Sequence, residues 1–111
     1  MSVQVILSQH RGPLPIAVSF NALSDGPSCL VVYGSVWSQT ANQTIGIEVS
    51  LDNKPIGSAS IYSNATATHR DVVPTYIPVK LTFGKHELFL GVATPATISD
   101  SNDFFEVVLL Y

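Results

Sequence analysis

The stretch from Ile45 to Tyr62 reads Ile-Gly-Ile-Glu-Val-Ser-Leu-Asp-Asn-Lys-Pro-Ile-Gly-Ser-Ala-Ser-Ile-Tyr. Its first part alternates cleanly: Ile45, Ile47, Val49 and Leu51 on one side, Gly46, Glu48 and Ser50 on the other. A side-chain period of two marks a strand with one face on a core and the other toward water. Asp52-Asn53-Lys54 interrupts the alternation, and Asx residues tolerate the left-handed backbone of a tight hairpin turn. Pro55 to Tyr62 is therefore expected to return antiparallel to the first strand.

The same grammar extends in both directions. Runs rich in Val, Ile, Thr, Phe and Tyr are separated by Gly, Pro, Asn, Asp and Ser. They are Val3–Ser8, Ile16–Leu23, Leu30–Gln39, Ile45–Leu51, Pro55–Tyr62, Val72–Phe83, His86–Val92 and Phe104–Tyr111. Ser24–Pro27 is expected as a turn, and Ser63–Arg70 and Thr94–Asp103 as polar loops. Pro74 and Pro78 cannot donate to a ladder, so Val72–Phe83 reads as an edge strand or one bent at Pro78. Its expected inner face is Val73, Thr75, Ile77, Val79, Leu81 and Phe83. Apolar residues at helical spacing do not persist anywhere. About eight strands without a helix predict an all-β chain, a jelly-roll-like antiparallel β-sandwich. An immunoglobulin-type sandwich is the rival topology. The 111 residues make one domain, spanning residues 1–111.

Composition excludes several functions. The net charge is −3 with only five basic residues, whereas phosphate backbones are bound by clustered Lys and Arg. No nucleic-acid partner is expected. Met1–Leu7 lacks a basic leader and does not read as a signal peptide. The apolar runs fall far below the ~20 residues of a membrane helix, so no membrane insertion is expected. Cys29 is alone and reads as a small apolar residue. His-x-Glu, Cys-x-x-Cys, Gly-rich phosphate and Gly-x-Ser-x-Gly motifs are missing. Glu48, Glu87 and Glu106 look like the solvated members of their alternations, not a facing pair. The chain is not expected to be an enzyme or to need a cofactor.

The final run, Phe-Phe-Glu-Val-Val-Leu-Leu-Tyr from Phe104 to Tyr111, breaks the one-face rule. Phe105, Val107, Leu109 and Tyr111 lie on one side, Phe104, Val108 and Leu110 on the other. Leu30–Gln39 is two-faced as well, and Phe89 stands outside beside Glu87. In a chain where charged residues are 12%, about half the usual ~25%, such faces call for a partner. Phe89, Phe104, Val108 and Leu110 are the expected surface of a homodimer or homotrimer. The ending Phe105–Tyr111, with the Gly84–Leu90 turn and strand before it, resembles the tumour-necrosis-factor and complement-head family of trimeric jelly rolls. That resemblance implies a homotrimer with its final strands near the threefold axis.

The leading functional expectation is a non-enzymatic structural or binding module that self-associates, an attachment or assembly component. Its partner is itself, a glycan or another protein. The alternative is a lectin-like carbohydrate-binding domain. Trp37 stands beside Ser38–Gln43, and an aromatic next to amides is a sugar-compatible set. Asn42 and Gln43 are therefore ligand candidates, as are His69 and Arg70 in their polar loop. Ser99–Asp103 is rich in oxygen, and Asp100, Asn102 and Asp103 are candidate calcium ligands. An enzyme of unrecognised type is the third class. His86 is in phase with Leu88 and Leu90 and reads as a partly buried structural histidine.

Overall fold

A computed structural model describes residues 1–111. It is an antiparallel β-sandwich of the jelly-roll type, with nine strands: β1 (Val3–Arg11), β2 (Ile16–Ala22), β3 (Gly26–Val36), β4 (Gln43–Leu51), β5 (Lys54–Ser63), β6 (Arg70–Asp71), β7 (Thr75–Leu81), β8 (Gly84–Val92) and β9 (Phe104–Leu110). One sheet runs β1-β9-β3, and the far edge of β3 pairs with β7 along Gly26–Val32 and with β6 at Ser35–Val36. The other runs β2-β8-β4-β5. No helix is long and apolar enough to cross a membrane.

The hairpin that sets the period forms as expected. Leu51 pairs with Lys54, and Asp52 and Asn53 take φ of 50° and 67°. This is the left-handed pair that matches the twist of the flanking strands. Ile45, Ile47 and Val49 are fully buried. Facing them across the sandwich are Leu30, Val32, Phe105, Val107 and Leu109. Each such side chain contributes roughly 1.5–3 kcal/mol by leaving water.

Several boundaries differ from the sequence reading. The expected Ser24–Pro27 turn is shorter, because Gly26 and Pro27 already pair with Leu81 and Lys80. Arg70–Asp71, expected within or beside a loop, adds the ninth strand by pairing with β3. β7 pairs only with β3 and is an edge strand; Pro78 lies within it, and Pro74 just before its first residue. It is shorter than its apolar run, and Val73 and Phe83 at the ends of that run are 57% and 71% exposed. Val92 also leaves the core, at 49% exposed. At Val73 and Phe83 period-two alternation fails because β7 has ended, whereas Val92 is exposed at the last residue of β8 while still paired with Ile47.

The final strand buries one of its apolar faces and leaves the other partly exposed. Phe105, Val107 and Leu109 point into the core, while Phe104, Val108 and Leu110 lie half-buried on the outer face. Cross-strand pairing extends that outer face into two rows. One is Val5, Val108, Val31 and Tyr76; the other is Val3, Leu110, Cys29 and Pro78. Phe89 is not part of it: it stands 45% exposed on β8, in the opposite sheet. Thus the four residues expected to share one interface occupy both sides of the sandwich.

Candidate functional site

The polar features converge at the loop end where β3 leaves its sheet. Gly34 on β3 packs against β9 so closely that a Cβ there would collide with the Phe104 carbonyl and the Phe105 ring. This contact draws Ser35 next to Asp103. Past β3, Trp37 exchanges both backbone hydrogen bonds with Ile98, at 2.9 and 2.8 Å. The loop before β6 lies over this corner, with the Ala67 N–H donating to the Ser38 carbonyl at 2.7 Å.

Asp103 is the anchor, and it is fully buried. Its Oδ1 accepts from the Ser35 hydroxyl at 2.7 Å and lies 2.6 Å from His69 Nδ1. Its Oδ2 accepts the Asp100 N–H at 2.8 Å, and its carbonyl accepts the Gly12 N–H at 3.1 Å. A buried carboxylate tolerates its loss of water only when it is bonded this completely. His69 Nδ1 therefore donates to Asp103, which orients the ring and directs Nε2 outward. Asp100 Oδ2 lies 3.7 Å from that Nε2. The Trp37 and His69 rings are 5.8 Å apart, tilted by 43°. Trp37 is half-buried, and its indole N–H has no acceptor within the protein.

Of the residues expected from sequence, Trp37, His69, Asp100 and Asp103 thus meet in one place. The others are dispersed around it. The Asn42 side-chain oxygen accepts from the Tyr62 hydroxyl at 3.1 Å, and Tyr62 is 60% exposed. Gln43 pairs with Ser63 at the end of the β4–β5 ladder. Arg70 donates to Asn64 at 3.2 Å. Asn102 engages Asp100 through its backbone N–H, and its side chain is exposed. Ser35 and Tyr62 were not anticipated. A serine inside an otherwise apolar strand was the available signal for Ser35.

His69, Asp100 and Asp103 each offer one ligand atom, all within 4.8 Å of one another. This donor set fits calcium poorly. Calcium takes six to eight oxygens, whereas one donor here is an imidazole nitrogen and both Asp103 oxygens already accept internal hydrogen bonds.

A second histidine–aspartate pair sits at the opposite end of the β4–β5 hairpin and is structural. His86 is 8% exposed, stacked on Phe20, with Nδ1 2.6 Å from Asp52 and Nε2 2.7 Å from the Thr82 carbonyl. The hydrogen bond to Asp52, then that to Thr82, raises its pKa. The Glu87 N–H, then His86, lowers that of Asp52. On the outer sheet face Tyr33 donates to Glu106, and that bond raises the tyrosine pKa.

No protein-family model matches the chain, and no curated protein matches it. Solved structures share its fold. A family 35 carbohydrate binding module from Clostridium thermocellum aligns with TM-score 0.56 at 11% identity, over 96% of this chain and 86% of that one. The CBM36-1 domain of a multidomain xylanase, from the hindgut metagenome of Trinervitermes trinervoides, aligns with TM-score 0.56 at 8% identity, over 99% and 97%. A beta-glucosidase from Paenibacillus barengoltzii aligns with TM-score 0.56 at 14% identity over 98% of this chain. The chain spans only 10% of that enzyme's length. At these identities the likeness establishes the β-sandwich fold.

Proposed function

We propose that this domain is a carbohydrate-binding module without catalytic activity, and that it takes its ligand at the Trp37 corner. The observation that carries the reading is the arrangement of the sole tryptophan. Its ring is partly exposed at a loop end, flanked by His69 and within the corner that Asp100 and Asp103 build. An aromatic face stacks on a sugar ring, and a carboxylate and an imidazole nitrogen bond its hydroxyls. Asn42 and Tyr62 offer a further amide and phenol at the same end of the sandwich. The whole-length likeness to two carbohydrate-binding modules supports this reading over the others. Intrinsic fluorescence tests it, since only one tryptophan emits. Titration with xylo-, cello- and arabino-oligosaccharides is expected to shift or quench the emission saturably, and Trp37→Ala is expected to abolish binding on a glycan array. An unmoved spectrum together with a blank array refutes the reading.

A second reading is favoured by the two apolar cross-strand rows on the outer face of β1, β9, β3 and β7. There the domain self-associates as a homodimer or homotrimer, with Val108 and Leu110 central. Light scattering after size exclusion decides it: a concentration-independent monomer refutes it.

A further inference from the structure

The outer face of the β1-β9-β3 sheet holds a cavity of about 220 Å³, separate from the Trp37 corner and lined by Gln9, Arg11, Tyr33 and Phe104. Arg11 and Phe104 are direct cross-strand partners. Tyr33 meets Phe104 edge to face, with ring centroids 6.0 Å apart. Glu106 holds the Tyr33 hydroxyl and so orients the phenol ring. The wall is thus two fixed aromatic rings, one amide and one guanidinium.

Two features set this cavity apart from a chance hollow. First, β1 carries an extra residue here. Leu7 pairs with Val107 and His10 with Phe105, so Ser8 and Gln9 together oppose Glu106 alone. Gln9 takes φ 43° to accommodate the bulge. That left-handed conformation is costly for a residue with a Cβ and is usually left to glycine. Bulges re-aim side chains next to sites, and the strained residue here lines the cavity. Second, Arg11 is an unpaired cation. The one salt bridge made by a lysine or arginine is between Lys85 and Glu87, and the Arg70 guanidinium bonds Asn64. Arg11, like Lys54 and Lys80, has no side-chain partner, and of the unpaired cations it is the one that lines this cavity.

We propose that this cavity is a second binding site, for a single pyranose ring that carries an anionic substituent, a carboxylate or a sulfate. The ring stacks on Phe104 and Tyr33, the guanidinium of Arg11 pairs with the anion, and the Gln9 amide bonds a ring hydroxyl. The volume suits one ring and not an oligosaccharide. The choice of a sugar over any other anionic ring rests on the carbohydrate-binding function proposed above.

The test is an amide chemical-shift titration of the intact chain with glucuronate, glucose 6-sulfate and neutral glucose. Both anionic sugars are expected to move Gln9, Arg11, Tyr33 and Phe104, and glucose is expected to bind at least about tenfold more weakly, the scale of one charge-assisted bond. Response to one anionic sugar alone identifies which anion the site takes and supports the proposal. Arg11→Gln is expected to remove the response, and Trp37→Ala to leave it intact. Gln9→Gly separates function from structure: relief of the left-handed strain should hold or raise the melting temperature while the affinity falls. Equal binding of glucose and the anionic sugars, or anionic binding indifferent to Arg11→Gln, overturns the proposal. If the tryptophan answers to oligosaccharides and the cavity is silent, this site falls and the carbohydrate-binding function stands. If neither responds to any sugar, both fall.

Discussion

The His86–Asp52 pair makes stability depend on pH in a direction that the geometry dictates. Both ring nitrogens of His86 face acceptors, Asp52 at 2.6 Å and the Thr82 carbonyl at 2.7 Å. Only the imidazolium can donate to both. The neutral ring donates once and turns a lone pair toward the other acceptor. The folded pKa of His86 is therefore raised above its ordinary 6.5. Its contribution is fully present below 6.5 and is lost as pH rises through the folded value. Asp52 is lowered below 3.8, so its contribution is present above 3.8 and is lost as pH falls through its folded value. Stability should be highest in the weakly acidic window between them. A charge-assisted hydrogen bond contributes about 1.5–3 kcal/mol. The Asp52 side chain is 48% exposed, and solvent screening cuts that pair toward about 1 kcal/mol. A loss of about 1–2 kcal/mol on going from weakly acidic to alkaline pH follows, or several degrees in Tm. Urea unfolding across that range measures it. The same series on His86→Gln removes the contribution of His10 and His69 by difference. A wild-type slope that persists unchanged in His86→Gln would refute the reasoning.

Three further outcomes follow from the packing. Asp103→Ala strips the acceptor from Ser35, His69 and the Asp100 N–H, and should cost about 3 kcal/mol or more while loosening the Trp37 corner. Chemical denaturation gives the first effect, and tryptophan emission before the transition gives the second. Gly34→Ala forces a Cβ into the Phe104 carbonyl and the Phe105 ring; backbone displacement of β9 should destabilise by about 1–3 kcal/mol or more, read as a drop in Tm. Val108→Glu places a charge on the half-buried outer face, not in the core. The monomer should stay folded, with a loss under about 1 kcal/mol, and any dimer or trimer should dissociate, as light scattering would show; an unfolded variant would place Val108 in the core instead.

The fold was legible because a strand writes its period into the chain. Ile45, Ile47 and Val49 alternate, Asp52 and Asn53 turn, and burial follows without reference to distant residues. The two apolar faces of Phe104–Leu110 were legible too, and so was the edge position of the strand that holds Pro78. What local pattern does not contain is partnership across the sheets. Val73 and Phe83 match the inward phase and are nevertheless exposed, because β7 does not reach them; Val92 is exposed although it still pairs with Ile47. Phe89 matches Phe104 in character and stands on the opposite sheet, because sheet membership is set by pairing and not by alternation.

The site divides the same way. The residue types at Trp37, His69, Asp100 and Asp103 are visible in sequence, as chemistry that suits a ligand. Their convergence is not, because it needs β3, β6 and the loop before β9 to be drawn to one corner by the close contact at Gly34. Tertiary structure also decided that Asp103 is spent on an internal network, which no spacing rule reveals. Likewise the bulge at Gln9 and the unpaired charge of Arg11 exist only once β1 is laid against β9. Sequence by itself determined the period, the turns and the chemical inventory, since these depend on neighbours along the chain. Only the fold decided which of that inventory meets, because hydrogen bonding and burial act through space.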